Sequence, residues 1–282
     1  MPAYRSTFPI ESDSFNAPKD PENALMALIQ YAVRYQHTDA EDFEILPYTE
    51  LAGYVPVLDD GERRRNYYFK IDALVRRKSD NKIWVMEHKT GSRITAAWTA
   101  SWLLSMQVLG YVYAAKCLFP AEEIGGAYVD GLIFQKKQNQ FERVQVPLVN
   151  SHIYSWVLQT NYWMDLLDWN LKTLREELES PGPVMQSFPC HPDNCTMYNS
   201  VCPFHTLCMI WNNPLTNMHR KPPEFEVEFW DPMKVPHSYE AMEGGIHDCS
   251  VRLKRIEDSL RKVTSSESGS AGSSDETPDG TG

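Results

Sequence analysis

The chain has no run of eighteen apolar residues, so no stretch reads as a membrane-crossing helix. It has no Gly-x4-Gly-Lys-Ser/Thr loop, which excludes a P-loop ATPase or helicase motor within these residues. It has no internal repeat, so solenoids and propellers are set aside. It has no surplus of basic residues: 27 Lys and Arg stand against 38 Asp and Glu, for a net charge of −11. That balance argues against a general polyanion binder. Four of the acidic residues, Glu267, Asp275, Glu276 and Asp279, fall in the last nineteen positions, which carry no Lys or Arg. Basic clusters remain at Arg63, Arg64 and Arg65, at Arg76, Arg77 and Lys78, at Lys136 and Lys137, and at Lys254 and Arg255, enough for a local basic groove. Residues 1–18 lack a basic start followed by an apolar stretch and do not read as an export signal. The expectation is a cytoplasmic protein, in a bacterium or a phage-infected host. Its six cysteines are then thiols or metal ligands before they are disulfides.

What is present is an ordinary globular composition, 42% hydrophobic and 23% charged over 282 residues. Residues 23–35 show apolar side chains at three- and four-residue steps, an amphipathic helix. Residues 43–47 and 54–58 are short strand candidates. Residues 67–75 and 83–88 alternate on either side of a polar turn at 78–82, which predicts a hairpin. Thr95 is placed to cap a helix over 96–118. Gly125 and Gly126 break the chain. Residues 127–135 and 141–147 read as another strand pair, and 152–178 as a long helix ended by Pro181, Gly182 and Pro183. Residues 247–263 read as one more charged helix, and 264–282 as a disordered tail. The order predicts an α/β fold with a small mixed β-sheet flanked by helices.

The chemistry lies in Asp72 and in Glu87, His88 and Lys89. Glu87 and Lys89 are two apart on one strand and share a face. With the hairpin folded about Asp80 and Asn81, Asp72 falls opposite Lys89 and diagonal to Glu87. Two carboxylates held close repel unless a cation or a proton lies between them, and hard oxygen ligands suit Mg²⁺ or Mn²⁺. A surface hairpin with one salt bridge explains these three residues equally well. Gln107 and Tyr111 then add a polar pair one turn apart on the next helix.

Asp72, the Glu87-His88-Lys89 triplet and Gln107-x3-Tyr111 together resemble the PD-(D/E)XK nuclease superfamily, and within it the RecB-like branch of CRISPR-associated, AddB-type and phage exonucleases. The resemblance spans about residues 20–210. It implies a restriction-endonuclease-like core in which Asp72 and Glu87 bind metal, with the backbone carbonyl of His88, and Lys89 is catalytic. Gln107 and Tyr111 would contact DNA, and Arg93 is a phosphate-contact candidate. RecB-like enzymes add a His or Glu from an N-terminal helix as a further ligand, and the 23–35 helix has neither. Glu22, His37 and Glu50 are the alternatives, with Glu50 preferred. The His88 side chain faces the other side of its strand and reads as a packing or hydrogen-bonding group. Trp84, Trp98, Trp102, Trp156, Trp163 and Trp169 read as core rather than as base-stacking platforms.

Cys190, Cys195, Cys202 and Cys208 are spaced Cys-x4-Cys-x6-Cys-x5-Cys. In a loop-rich segment they point to a metal, either Zn²⁺ or an iron–sulfur cluster, with four buried thiols as the plain alternative. The relatives hold a [4Fe–4S] cluster with three cysteines after the core and one far upstream. Here no cysteine precedes Cys117, so Cys190 or Cys117 would complete the set. Cys249 has no assigned role. The expected organisation is an arm at 1–19, a nuclease core at 20–185, a Cys-rich segment at 186–212, an extension at 213–263 and the tail. The expected function is Mg²⁺- or Mn²⁺-dependent DNA hydrolysis by an exonuclease in recombination, repair or phage replication, working with a helicase or recombination partner. The alternative is a non-catalytic, nuclease-like DNA-binding subunit stabilised by a Cys-bound metal.

Overall fold

The computed structural model describes Pro9, Ile10, Asp13 and residues 17–197, 200–220, 222, 223 and 225–229. The expected helix at 247–263, the tail and Cys249 lie outside the described residues. Helix α1 (Pro21–Asp42) starts where Asp20 accepts the Asn23 N–H at 2.9 Å and Pro21 supplies a helix-ready φ. It is longer than the periodicity predicts and takes in Glu22 and His37. Strand β1 (Phe43–Asp59) joins the two expected short strands into one, with register irregularities between Ile45 and Thr49 and between Pro56 and Leu58. Strands β2 (Arg64–Arg77) and β3 (Lys82–Gly91) form the predicted hairpin.

The expected helix over 96–118 is two helices, α2 (Ala96–Ser101) and α3 (Met106–Leu118). Thr95 caps the first as predicted, accepting the Trp98 N–H at 3.0 Å, and Ser105 caps the second. A second capping hydroxyl within eleven residues of the first restarts the helix. Strands β4 (Ile124–Ile133) and β5 (Gln140–Pro147) follow, then helix α4 (Asn150–Glu179). Gly125 and Gly126 lie inside β4 rather than breaking the chain. A Cβ on Gly125 would fall 2.2 Å from the Trp84 indole, so the glycine lets that ring lie flat on the strand.

The sheet order is β1-β2-β3-β4-β5, antiparallel except for the parallel β3–β4 pair, which α2 and α3 connect. Helix α3 is the core helix, with Val108 through Ala115 and Cys117 buried. It approaches closely because Gly110 has no side chain: a Cβ there would lie 2.5 Å from the Tyr67 hydroxyl and 2.8 Å from Trp156. Among the described residues no helix is long and apolar enough to cross a membrane.

The chain divides into two compact units between Val157 and Leu158, inside α4. In the second unit, Glu177 accepts from the Gln186 N–H (2.6 Å), the Ser187 N–H (3.0 Å) and the Ser187 hydroxyl (2.5 Å). Asn170 accepts the Phe188 N–H at 2.6 Å. These bonds pin the chain just upstream of Cys190 to the helix. A short helix α5 (His205–Ile210) carries Cys208.

Candidate active site

Alternation on β3 puts Glu87 and Lys89 on one face, and Lys89 Nζ donates to Glu87 Oε1 at 2.5 Å. Gln107, in the first turn of α3, donates from Nε2 to the same oxygen at 3.4 Å and to the Tyr111 hydroxyl at 2.9 Å. The predicted i, i+4 pair is therefore joined to the predicted strand pair. Lys89 also lies 5.9 Å from the Trp102 ring, in the break between α2 and α3.

Glu87 is 3% exposed, and its Oε2 is buried with no hydrogen-bond partner. Burial raises the Glu87 carboxyl above its ordinary value, with Lys89 pulling the other way and Asp72 adding to the rise. Burial also raises the Tyr111 phenol, against the Gln107 bond, and the charges of Glu87 and Asp72 push it further. Tyr67 is raised by burial and then by Tyr111 and Glu87. Asp72, Glu87, Lys89, Gln107 and Tyr111 thus share one electrostatic neighbourhood. Tyr67 joins them without a local sequence signal, since it reaches the site from the far end of β2.

The hairpin register differs from expectation. Arg77 pairs with Lys82 and Ala73 with Met86, so the next rung sets Asp72 beside Glu87, not Lys89. The turn occupies 78–81, with Asn81 at φ 58°. A shift of one residue in the hairpin's centre moves each partner by two. Asp72 Oδ2 accepts the His88 N–H at 2.8 Å, and the regular ladder ends at Ala73. Burial along β2 also changes parity there, with Phe69 and Ile71 buried before Asp72 and Leu74 and Val75 after it. Such irregularities re-aim a side chain beside a functional site.

Glu50 stands at the β1 position between Thr49 and Leu51, whose partners Ala73 and Ile71 flank Asp72. Its φ is 51°, its side chain is exposed, and its carboxylate is ion-paired with Lys70. The acid offered by the sequence as a further ligand is thus held by a lysine of β2. The His88 side chain lies 3.5 Å from the Tyr31 hydroxyl and 3.6 Å from Asp72 Oδ2. Arg93 is exposed on the loop after β3.

The sequence reading missed a buried network. Arg143 of β5 makes two 2.6 Å bonds to Asp130 of β4, which is 1% exposed, and two more to Asp39 of α1 at 2.5 and 3.2 Å. The Tyr31 hydroxyl donates to Asp130 as well. Burial works against the Arg143 charge, but Asp130 and Asp39 outweigh it and hold the guanidinium above its usual value. A lone Asp inside the apolar run of β4 was the available signal.

The donor set suits a hard divalent cation in one respect: Glu87 has a buried carboxylate oxygen without a partner, and the Asp72 carboxylate is close enough to act on it. In the second unit, the free thiol of Cys190 is within hydrogen-bonding reach of Cys195 and Cys208, and Cys202 is close enough to affect both. Desolvation and then the neighbouring thiols raise Cys195 and Cys208. The Cys202 N–H donates to the Cys195 carbonyl at 2.8 Å. Cys117 is buried on α3. Among the described residues no three His, Cys, Asp or Glu side chains stand at metal-ligand spacing.

No protein-family model and no curated protein matches the chain. Among solved structures, one described as the crystal structure of SSO0001 is similar at 15% identity, over 74% of this chain and 80% of that one, with a TM-score of 0.32.

Proposed function

We propose that the chain is a metal-dependent deoxyribonuclease that hydrolyses phosphodiester bonds, acting as an exonuclease. The observation that carries the reading is Glu87, a buried carboxylate with one oxygen gripped by Lys89 and Gln107 and the other left open beside Asp72. A charge so buried and half satisfied is costly to keep in a purely structural role. Asp72 and Glu87, with the His88 carbonyl, would hold Mg²⁺ or Mn²⁺. The ion would lower the pKa of its water and stabilise charge on a phosphate oxygen. Lys89, fixed by Glu87, orients the attacking water or neutralises the phosphate as charge builds. Tyr111 and Gln107 position the strand, and Arg93 meets a phosphate. The substrate class is DNA in recombination, repair or phage processing in the cytoplasm, and any unwinding comes from a helicase or recombination partner. Cys190, Cys195, Cys202 and Cys208 would hold a [4Fe–4S] cluster or Zn²⁺ through thiolates.

The test is cleavage of end-labelled single- and double-stranded DNA with Mg²⁺, Mn²⁺ or EDTA, on anaerobically purified protein. Metal-dependent product from the wild type, absent in Asp72→Ala and Lys89→Ala at unchanged circular dichroism, is the expected result. One observation favours the second reading, a non-catalytic DNA-binding subunit: Glu50, the acid preferred as a further ligand, is ion-paired with Lys70. Folded protein that retains DNA and cuts it with no metal would select that reading.

A further inference from the structure

Within the second unit, helix α4 carries an apolar stripe that faces solvent. Trp163, Leu167, Leu171, Leu174 and Leu178 follow one another at steps of four, four, three and four, so all five lie on one face. Trp163, Leu167, Leu171 and Leu178 are between 38% and 58% exposed, and Leu174 is half-buried. The face beside the stripe is already in use: Asn170 and Glu177 are buried and hold Gln186, Ser187 and Phe188. Residues 165–169 are exposed in succession, more than one full turn, yet Leu166, Leu167 and Trp169 among them are apolar. A helix open to water all round is ordinarily polar all round, and a contiguous apolar patch on a surface marks an interface.

The charges beside the stripe select its occupant. Asp168 and Arg175 flank it on one side, both exposed, the acid toward the N-terminal end and the base toward the C-terminal end. Two copies packed antiparallel, with the two-fold axis between Lys172 and Thr173, bring Leu171 against the partner's Leu174 and Leu167 against the partner's Leu178. The same register sets Asp168 level with the partner's Arg175, and the two-fold repeats that pair. A parallel pair would instead set Asp168 against the partner's Asp168 and Arg175 against the partner's Arg175, and like charges facing each other cost affinity. The stripe is thus complementary to its own reverse in both apolar layers and charge.

We propose that α4 pairs two copies of the chain through this stripe, as an antiparallel helix pair closed by two Asp168–Arg175 contacts. The contact runs over about four helical turns. That is a small interface, so the dimer forms in the micromolar range. It uses only residues 163–178 and is independent of the reading of Glu87.

The test is sedimentation equilibrium of the full chain from about 1 to 100 μM, in reducing buffer, which removes disulfide-linked species. Wild type is expected to pass from monomer to dimer over that range. Leu167→Glu/Leu171→Glu should stay monomeric at unchanged circular dichroism, since both side chains are exposed in the single chain. Asp168→Arg and Arg175→Asp should each dimerise at least about tenfold more weakly, because each turns both ion pairs into like-charge contacts. An equimolar mixture of those two variants restores both pairs and should associate as wild type does. A wild type that is monomeric at about 100 μM overturns the proposal and leaves another segment of the chain, or a different protein, to cover the stripe. A dimer that persists in Leu167→Glu/Leu171→Glu overturns it as well. So does a mixture no tighter than either variant alone, which excludes the antiparallel two-fold.

Discussion

Replacing Arg143 with Met strips the buried network of its cation at nearly constant side-chain length. Asp130, 1% exposed, is then an uncompensated buried carboxylate, a change that costs about 3–5 kcal/mol. The Tyr31 hydroxyl still donates to Asp130, which favours the lower part of that range. Asp39 is 29% exposed at its side chain, so its half of the pair adds less than about 1 kcal/mol. A loss of about 3–4 kcal/mol corresponds to a fall in Tm of about 6–16 °C for a unit of this size. The assay is urea and thermal unfolding at neutral pH. The Asp130→Asn/Arg143→Met double variant should recover most of the loss. A single-variant deficit under about 1 kcal/mol, or a double variant no better than the single, would refute the account.

Glu87→Gln is expected to abolish metal-dependent cleavage while leaving Tm at neutral pH equal or higher. The folded state holds the Glu87 proton more tightly than the unfolded chain does. Glu87 therefore costs stability above the ordinary carboxylate range, and calorimetry should show the Gln advantage vanish at acid pH below it. Gly110→Ala should cost about 1–3 kcal/mol by urea denaturation, because its Cβ would collide with Tyr67 and Trp156. Cys190→Ala, which removes the thiol beside Cys195 and Cys208, should lower bound zinc or iron by elemental analysis of anaerobically purified protein. Equal metal content in variant and wild type would remove Cys190 from the ligand set.

The parts of the site legible in the sequence are those fixed by local geometry. Glu87 and Lys89 are two apart on a strand, and Gln107 and Tyr111 are four apart on a helix, so each pair shares a face whatever the rest of the chain does. The rung of Asp72 depended on the hairpin's centre, and one residue of error there moved it from Glu87 to Lys89. The position of Glu50 depended on the irregularity between Ile45 and Thr49, which no periodicity reports. Asp130 and Arg143 meet because β4 pairs with β5, and Asp39 joins them from more than ninety residues upstream. Tertiary pairing of that kind leaves no local pattern. The break between α2 and α3 was readable in principle from Ser105, but the apolar run over 96–118 masks it.

The Gln107 amide carries one more consequence. A carboxylate can only accept, so the end of the amide facing Glu87 must be its nitrogen, which also serves Tyr111. The orientation of the amide is therefore dictated by its neighbours, and its carbonyl oxygen is left as an acceptor. That oxygen repels phosphate and welcomes an N–H or a sugar hydroxyl. On the proposed nuclease reading, Gln107 would therefore orient a nucleotide by its base or ribose edge, while Lys89 would meet the charge.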